Sequence, residues 1–212
     1  MAAMTTKAII EGVTAWVNDN ICQKIELKLP DDMRNDGDYS VKMVNPAAFP
    51  LYIPAKDRIP PRVHAPIPSV TVQMMEGADD IKSDTRTMRL RLCLATWNPG
   101  SHSGEKLVPI EDPSVLGGYR YTQEPSTEEM YERNGNGWKD LYNFQDIALA
   151  ALEGTEFFAG VRISQDDPIT YGPFTEDGVI WDYYPYWHGW ICFTIICGAP
   201  QKKQEGIRSL LN

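Results

Sequence analysis

The chain has 212 residues, 42% of them apolar and 23% charged, the make-up of a soluble globular protein with one core. Its 20 Lys and Arg against 29 Asp and Glu leave a net charge of −9, which excludes a protein whose whole surface grips nucleic acid, because phosphate binding needs an excess of cations. No run approaches 18 apolar residues and no apolar signal core follows Met1, so neither a membrane-spanning helix nor a secretory leader is expected.

From Thr6 to Asn18 the residues Ile9, Val13, Trp16 and Val17 recur at helical spacing, with Thr5 or Thr6 as N-cap. Ile25–Leu29 alternates as a short strand and is ended by Pro30. Residues 30–68 change character. Pro46, Pro50, Pro54, Pro60, Pro61, Pro66 and Pro68 break any regular helix or central strand, because each lacks a backbone donor. Yet Phe49, Leu51, Tyr52, Ile53 and Ile59 are too apolar for a solvated linker. An extended arm is expected, lying on its own domain or on a neighbouring subunit.

Two alternating segments follow. Val70, Val72 and Met74 share one side of Ser69–Met75, and Met88, Leu90, Leu92 and Leu94 share one side of Thr87–Trp97. They read as an antiparallel pair connected through Glu76-Gly-Ala-Asp-Asp80, with Arg89 and Arg91 on the polar face. Residues 98–136 are rich in Gly, Pro, Ser, Asn and charge. An irregular connection of that length is a functional element or a segment that orders only within an assembly.

A second helix opens at Gly137-Trp138, with Asn136 as a nearby cap. Trp138, Leu141, Phe144, Ala148, Ala151 and Leu152 form its stripe, and Gly154 suits the C′ position. Strands are expected at Val161–Ser164, Gly178–Trp181 and Trp190–Cys197. The order predicts one α+β domain over residues 1–212. Two amphipathic helices pack on one face of an antiparallel sheet, with the long arm and the long loop added.

Little in the chain points to catalysis. Cys22, Cys93, Cys192 and Cys197 lack metal-ligand spacing and read as buried, reduced thiols. His64, His102 and His188 have no local partner motif and read as surface or packing residues. The carboxylates Glu76, Asp79, Asp80 and Asp84 are ligand types for Mg²⁺ or Ca²⁺, but such clusters between strands are ordinarily solvated turns. Neither a metal nor another cofactor is expected. Asp19, Glu26 and Lys28 loosely resemble the carboxylate and lysine set of metal-dependent nucleases of the restriction type. The acidic charge balance argues against that reading.

The densest feature is Trp181-Asp-Tyr-Tyr-Pro-Tyr-Trp-His-Gly-Trp190. Its stiff, amphipathic rings suit core packing or an interface. Stacking on single-stranded bases would need interleaved Lys or Arg, and none lies between Gly178 and Gly198. Tyr183, Tyr184, Tyr186 and Trp187, with Arg89 and Arg91, are therefore the candidate subunit or partner interface.

Several segments together carry a family resemblance. They are the opening helix, Pro68-Ser-Val-Thr-Val-Gln-Met-Met-Glu-Gly-Ala-Asp-Asp80, Met88–Trp97, Gly137–Leu152 with its Trp-Lys-Asp start, and Tyr184-Pro-Tyr-Trp-His-Gly-Trp190. In this order, over about half of the chain, the protein resembles the tail-terminator or tail-completion proteins at the neck of long-tailed phages and prophages. The resemblance implies helices against an antiparallel sheet and a homo-oligomeric ring, usually a hexamer. It implies as partners the tail tube protein and the head-side connector protein. It implies a place at the virion neck after assembly in the host cytoplasm, and it brings no catalytic residue. Another neck component, such as a head-closure or connector protein, is the nearest alternative. The arm at 30–68 and the loop at 98–136 are longer than a minimal member of that family needs. Six copies would carry a charge of about −54, which opposes adsorption of DNA passing through a lumen.

Overall fold

The computed structural model describes residues 4–30, 42–61, 63, 65–99, 107–123, 136–181 and 183–199. In chain order these form α1 (Thr6–Asn20), a 3-10 turn (Cys22–Lys24), β1 (Leu27–Lys28), β2 (Met43–Val44) and β3 (Ala47–Pro50). A second 3-10 turn (Lys56–Arg58), β4 (Ser69–Asp80), β5 (Thr85–Trp97), β6 (Leu107–Glu111), β7 (Tyr119–Gln123) and α2 (Trp138–Glu153) follow. The chain continues through β8 (Phe157–Phe158), β9 (Val161–Ile163), β10 (Thr170–Pro173), β11 (Thr175–Glu176), β12 (Val179–Ile180) and β13 (Tyr186–Gly198). The fold is α+β. Among the described residues the main sheet has the order β3-β4-β5-β13-β9-β8, and β10 also pairs with β13. Three two-stranded ribbons, β1–β2, β6–β7 and β11–β12, stand apart from it.

The centre of the sheet is built from two long neighbours. β13 pairs antiparallel with β5 over its whole length, from Tyr186↔Trp97 to Gly198↔Thr85. β4 lies on the other side of β5, also antiparallel. Side chains alternate across the pleat, so Met88, Leu90, Leu92 and Leu94 join Val70, Val72, Ile191, Phe193 and Ile195 on one face. Both helices cover that face. Thr5 Oγ1 accepts from the Ala8 N–H at 3.2 Å and starts α1, which buries Ile9, Ile10, Val13 and Val17. The second helix buries Leu141, Phe144, Gln145, Ala148, Leu149 and Leu152. Each such Leu, Ile or Phe contributes roughly 1.5–3 kcal/mol relative to exposure.

Several boundaries differ from the sequence reading. Glu76–Asp80 is part of β4, and the turn is Ile81–Asp84. The Asp80 carboxylate accepts from the Lys82 N–H at 2.9 Å and from Ser83 Oγ at 2.7 Å, closing the turn there. Arg86 grips Asp79 across the strands with two hydrogen bonds, of 2.7 and 2.9 Å. A register shift between Met74 and Glu76 takes up one extra residue. The 47–50 part of the arm pairs in parallel with β4 of its own sheet, so the sheet is not purely antiparallel. Its prolines are tolerated because β3 is an edge strand.

The 98–136 connection holds the β6–β7 ribbon, where an irregular loop was expected. The Ser114 N–H donates to the Asp112 carboxylate at 3.0 Å, and Gly117 and Gly118 take φ of 99° and 74°, a reversal that side chains rarely allow. Residues 100–106 and 124–135 lie outside the described residues. In α2 the cap is Gly137, not Asn136, and Gly154 has a right-handed φ of −76°. Trp138 was expected in the buried stripe but is exposed, edge-on to Tyr142 at 5.7 Å. It occupies the open first turn of the helix, ahead of the buried stripe that starts at Leu141. The last strand begins four residues before Trp190, at Tyr186, because β5 continues to Trp97 and offers it partners that far.

Candidate interaction surface

The helices occupy one face of the sheet, so the alternate side chains of β4, β5 and β13 stand on the other. There Gln73 Oε1 accepts from Arg91 Nε and Nη2, at 3.2 and 2.8 Å, and from Cys93 Sγ at 3.4 Å. The same guanidinium lies 5.6 Å from the centroid of the Phe174 ring. Phe174 stacks on Trp181 at 5.2 Å, Trp181 meets Tyr183 edge-on at 5.6 Å, and Tyr183 meets His188 edge-on at 6.2 Å. A cation and four rings thus form one continuous strip. It is held in place by β10, which pairs with β13 and whose Pro173 carbonyl accepts from Trp190 Nε1 at 3.0 Å. Phe174 follows at once and is brought over Arg91. Burial depresses the His188 pKa below its usual 6.5, so the ring is neutral near pH 7.

A second group gathers where β5 ends. The buried Asn98 side chain accepts from Lys28 Nζ at 2.7 Å and donates to the Asp140 carboxylate at 2.7 Å. Its backbone carbonyl accepts from Trp187 Nε1 at 3.1 Å, and its N–H donates to the Pro185 carbonyl at 3.0 Å. Asn98 therefore joins β1, the first turn of α2 and the corner before β13. Gly137 must be glycine here, because a Cβ would collide with the Asn98 carbonyl and lie 2.8 Å from Trp187 Nε1. Tyr184 Oη donates to the Pro99 carbonyl at 2.7 Å, and its ring stands edge-on to Trp187 at 6.3 Å.

The six candidate residues do not form one site. Tyr183 and Arg91 belong to the strip on the outer face. Tyr184 and Trp187 belong to the Asn98 corner, where Trp187 is half-buried against the core. Tyr183 and Tyr184 are exposed, at 55% and 48%, and Tyr186 is half-buried. Arg89 is exposed towards the hairpin end of β5, 4.0 Å from Glu76. Phe174 was missed, because it lies outside the aromatic run and only the return of β10 brings it to Arg91. Met74, expected on the same side as the buried Val70 and Val72, is exposed, next to the register shift that follows it. Met75 and Ile81 on the β4–β5 hairpin, and Ile110, Val115, Leu116 and Tyr119 on the β6–β7 ribbon, are exposed apolar residues that pattern alone had not singled out.

The other sequence candidates are placed as follows. Asp19 and Glu26 are exposed, while Lys28 donates to Asn98 and, among the described residues, forms no ion pair with either. His64 and His102 lie outside the described residues. Among the described residues no three His, Cys, Asp or Glu side chains converge on a point. Cys22 is buried, which pushes its thiol up to about 12, and burial also raises Cys93, Cys192 and Cys197. No described helix is long and apolar enough to cross a membrane. No protein-family model matches the chain, and no curated protein matches it.

Proposed function

We propose that the protein is a non-enzymatic structural subunit. Its copies form a ring that terminates a phage tail tube and joins it to the head-side connector protein, with DNA passing through without specific binding. One observation supports the self-assembling part most directly. Large apolar side chains are exposed at the outer end of the β4–β5 hairpin, at Met74, Met75 and Ile81, and on the separate β6–β7 ribbon, at Ile110, Val115 and Leu116. Such residues cost solubility in a lone subunit and stabilise contacts between subunits. The two helices on one face of the sheet agree with the architecture that the tail-terminator resemblance implies.

Light scattering of the purified chain tests assembly, with a discrete closed oligomer as the expected result. Antibody labelling of virions, headless tails and tailless heads tests the place. Label on the head-proximal end of headless tails is expected. Label on tailless heads alone would assign the protein to the head-closure side.

A further inference from the structure

The described strands leave one long edge of the main sheet open. β3 covers β4 only from Ser69 to Val72, and the Leu51 N–H donates to the Val72 carbonyl at 2.9 Å as the arm turns away. From Met74 to Asp80 β4 pairs with β5 on one side and, among the described residues, with no strand on the other. All seven residues are exposed. An extended edge of this kind is a template for an added strand.

The same chain carries a strand of matching need. The β6–β7 ribbon joins no other described strand, and a lone two-stranded ribbon is at best marginally stable in water. Pro109 in β6 has no N–H and is tolerated in a ribbon where that position faces outward, so the outer edge of β6 lacks a donor at its middle. β7, Tyr119–Gln123, contains no proline and offers an unbroken outer edge. Its five residues match the five regularly paired positions, Glu76–Asp80, that follow the bulge at Met75.

Charge selects between the pairings. The open stretch of β4 holds Glu76, Asp79 and Asp80 and no cation of its own. Arg86 on β5 offsets Asp79 and Arg89 lies 4.0 Å from Glu76, so two copies of the stretch bring like charges together chiefly at Asp80. The one charge on β7 is Arg120. The two edges also belong to opposite ends of β5. The open stretch lies beside its Thr85 end, and the chain leaves for the ribbon at its Asn98 end.

We infer that β7 of one copy adds as a strand to the Met74–Asp80 edge of β4 in the next copy. The donor and acceptor edges differ, so the contact is head-to-tail, and repetition closes a ring if the rotation permits. The inference rests on the self-assembly in the proposed function and not on the place of the assembly in a virion.

Mixed cysteine cross-linking tests it. Copies carrying Glu76→Cys or Ala78→Cys are mixed with copies carrying Tyr119→Cys or Arg120→Cys, then oxidised in the assembled state. A disulfide dimer is expected in at least one mixture, with none from the wild-type chain or from any variant alone. Amides within 74–80 are expected to exchange at least about tenfold more slowly in the assembled form than in the monomer. A wild-type assembly of full size that gives no mixed dimer and no slowed amides would overturn the inference and leave self-assembly standing. So would dimers formed by one variant with itself. A wild-type chain that stays monomeric at every concentration would remove the self-assembly reading and the inference with it.

Discussion

The Asn98 corner and the β6–β7 ribbon are both parts of one nominal loop, and they are held by different means. Asn98 is buried and joined to Lys28, Asp140, Trp187 and Pro185, so three other stretches of chain meet on one residue at the end of β5. The ribbon, a few residues further on, bonds to itself and exposes Ile110, Val115, Leu116 and Tyr119. Substitutions in the corner and the core should therefore change the stability of the subunit, whereas substitutions in the ribbon should change its association.

The largest effect is expected in the core. Phe144→Ala or Phe193→Ala removes a fully buried ring and should cost about 3–5 kcal/mol in denaturant unfolding. Asn98→Ala comes next. It leaves the Lys28 amine and the Asp140 carboxylate without their shared partner and should cost about 1–3 kcal/mol. Gly137→Ala should cost a similar ~1–3 kcal/mol by forcing the Asn98 carbonyl and Trp187 apart, and alanine is also a poorer N-cap than glycine. An unchanged midpoint for Asn98→Ala would show that the corner is not a structural node.

In the ribbon the expectation reverses. Replacing 107–123 by a short Gly-Ser linker should leave the circular dichroism spectrum of the core and the unfolding midpoint nearly unchanged, and should abolish the oligomer in light scattering. Leu116→Ser should do the same in milder form, within about 0.5 kcal/mol in stability. Loss of the folded core on removing the ribbon would erase the contrast between the two regions.

The smallest effect is pH dependence at His188. Its folded pKa lies below its unfolded value near 6.5, so the unfolded state binds the proton more readily. Stability is full above that value and declines as pH falls through it towards the lower folded pKa. His188→Asn should flatten the slope between pH 7 and 5. Asp80 and Asp112, held below the usual carboxylate range chiefly by the hydroxyls of Ser83 and Ser114, act only at lower pH.

Much of the fold was legible in the pattern of apolar residues. The spacing of Ile9, Val13 and Val17, and the alternation of Met88, Leu90, Leu92 and Leu94, report burial directly, because one face of each element must leave water. The candidate surface was legible only in part. The run from Trp181 to Trp190 marked where most of these rings gather, but residue types do not show on which side of a sheet each ring falls. Tyr183 and Trp187 part company because the turn closed by the Tyr186 N–H on the Tyr183 carbonyl, at 2.8 Å, lies between them, and strand alternation does not carry across it.

The amino-acid sequence alone determined the α+β class, the two helices and the central alternating strands, since these follow from short-range periodicity and capping. Tertiary structure alone decided that Phe174 reaches Arg91, that Asn98 ties three other segments to the end of β5, and that the open edge of β4 lies at the far end of β5 from the start of the ribbon. Those outcomes depend on strand register between residues far apart in the chain, and local preference carries no information about register at that distance.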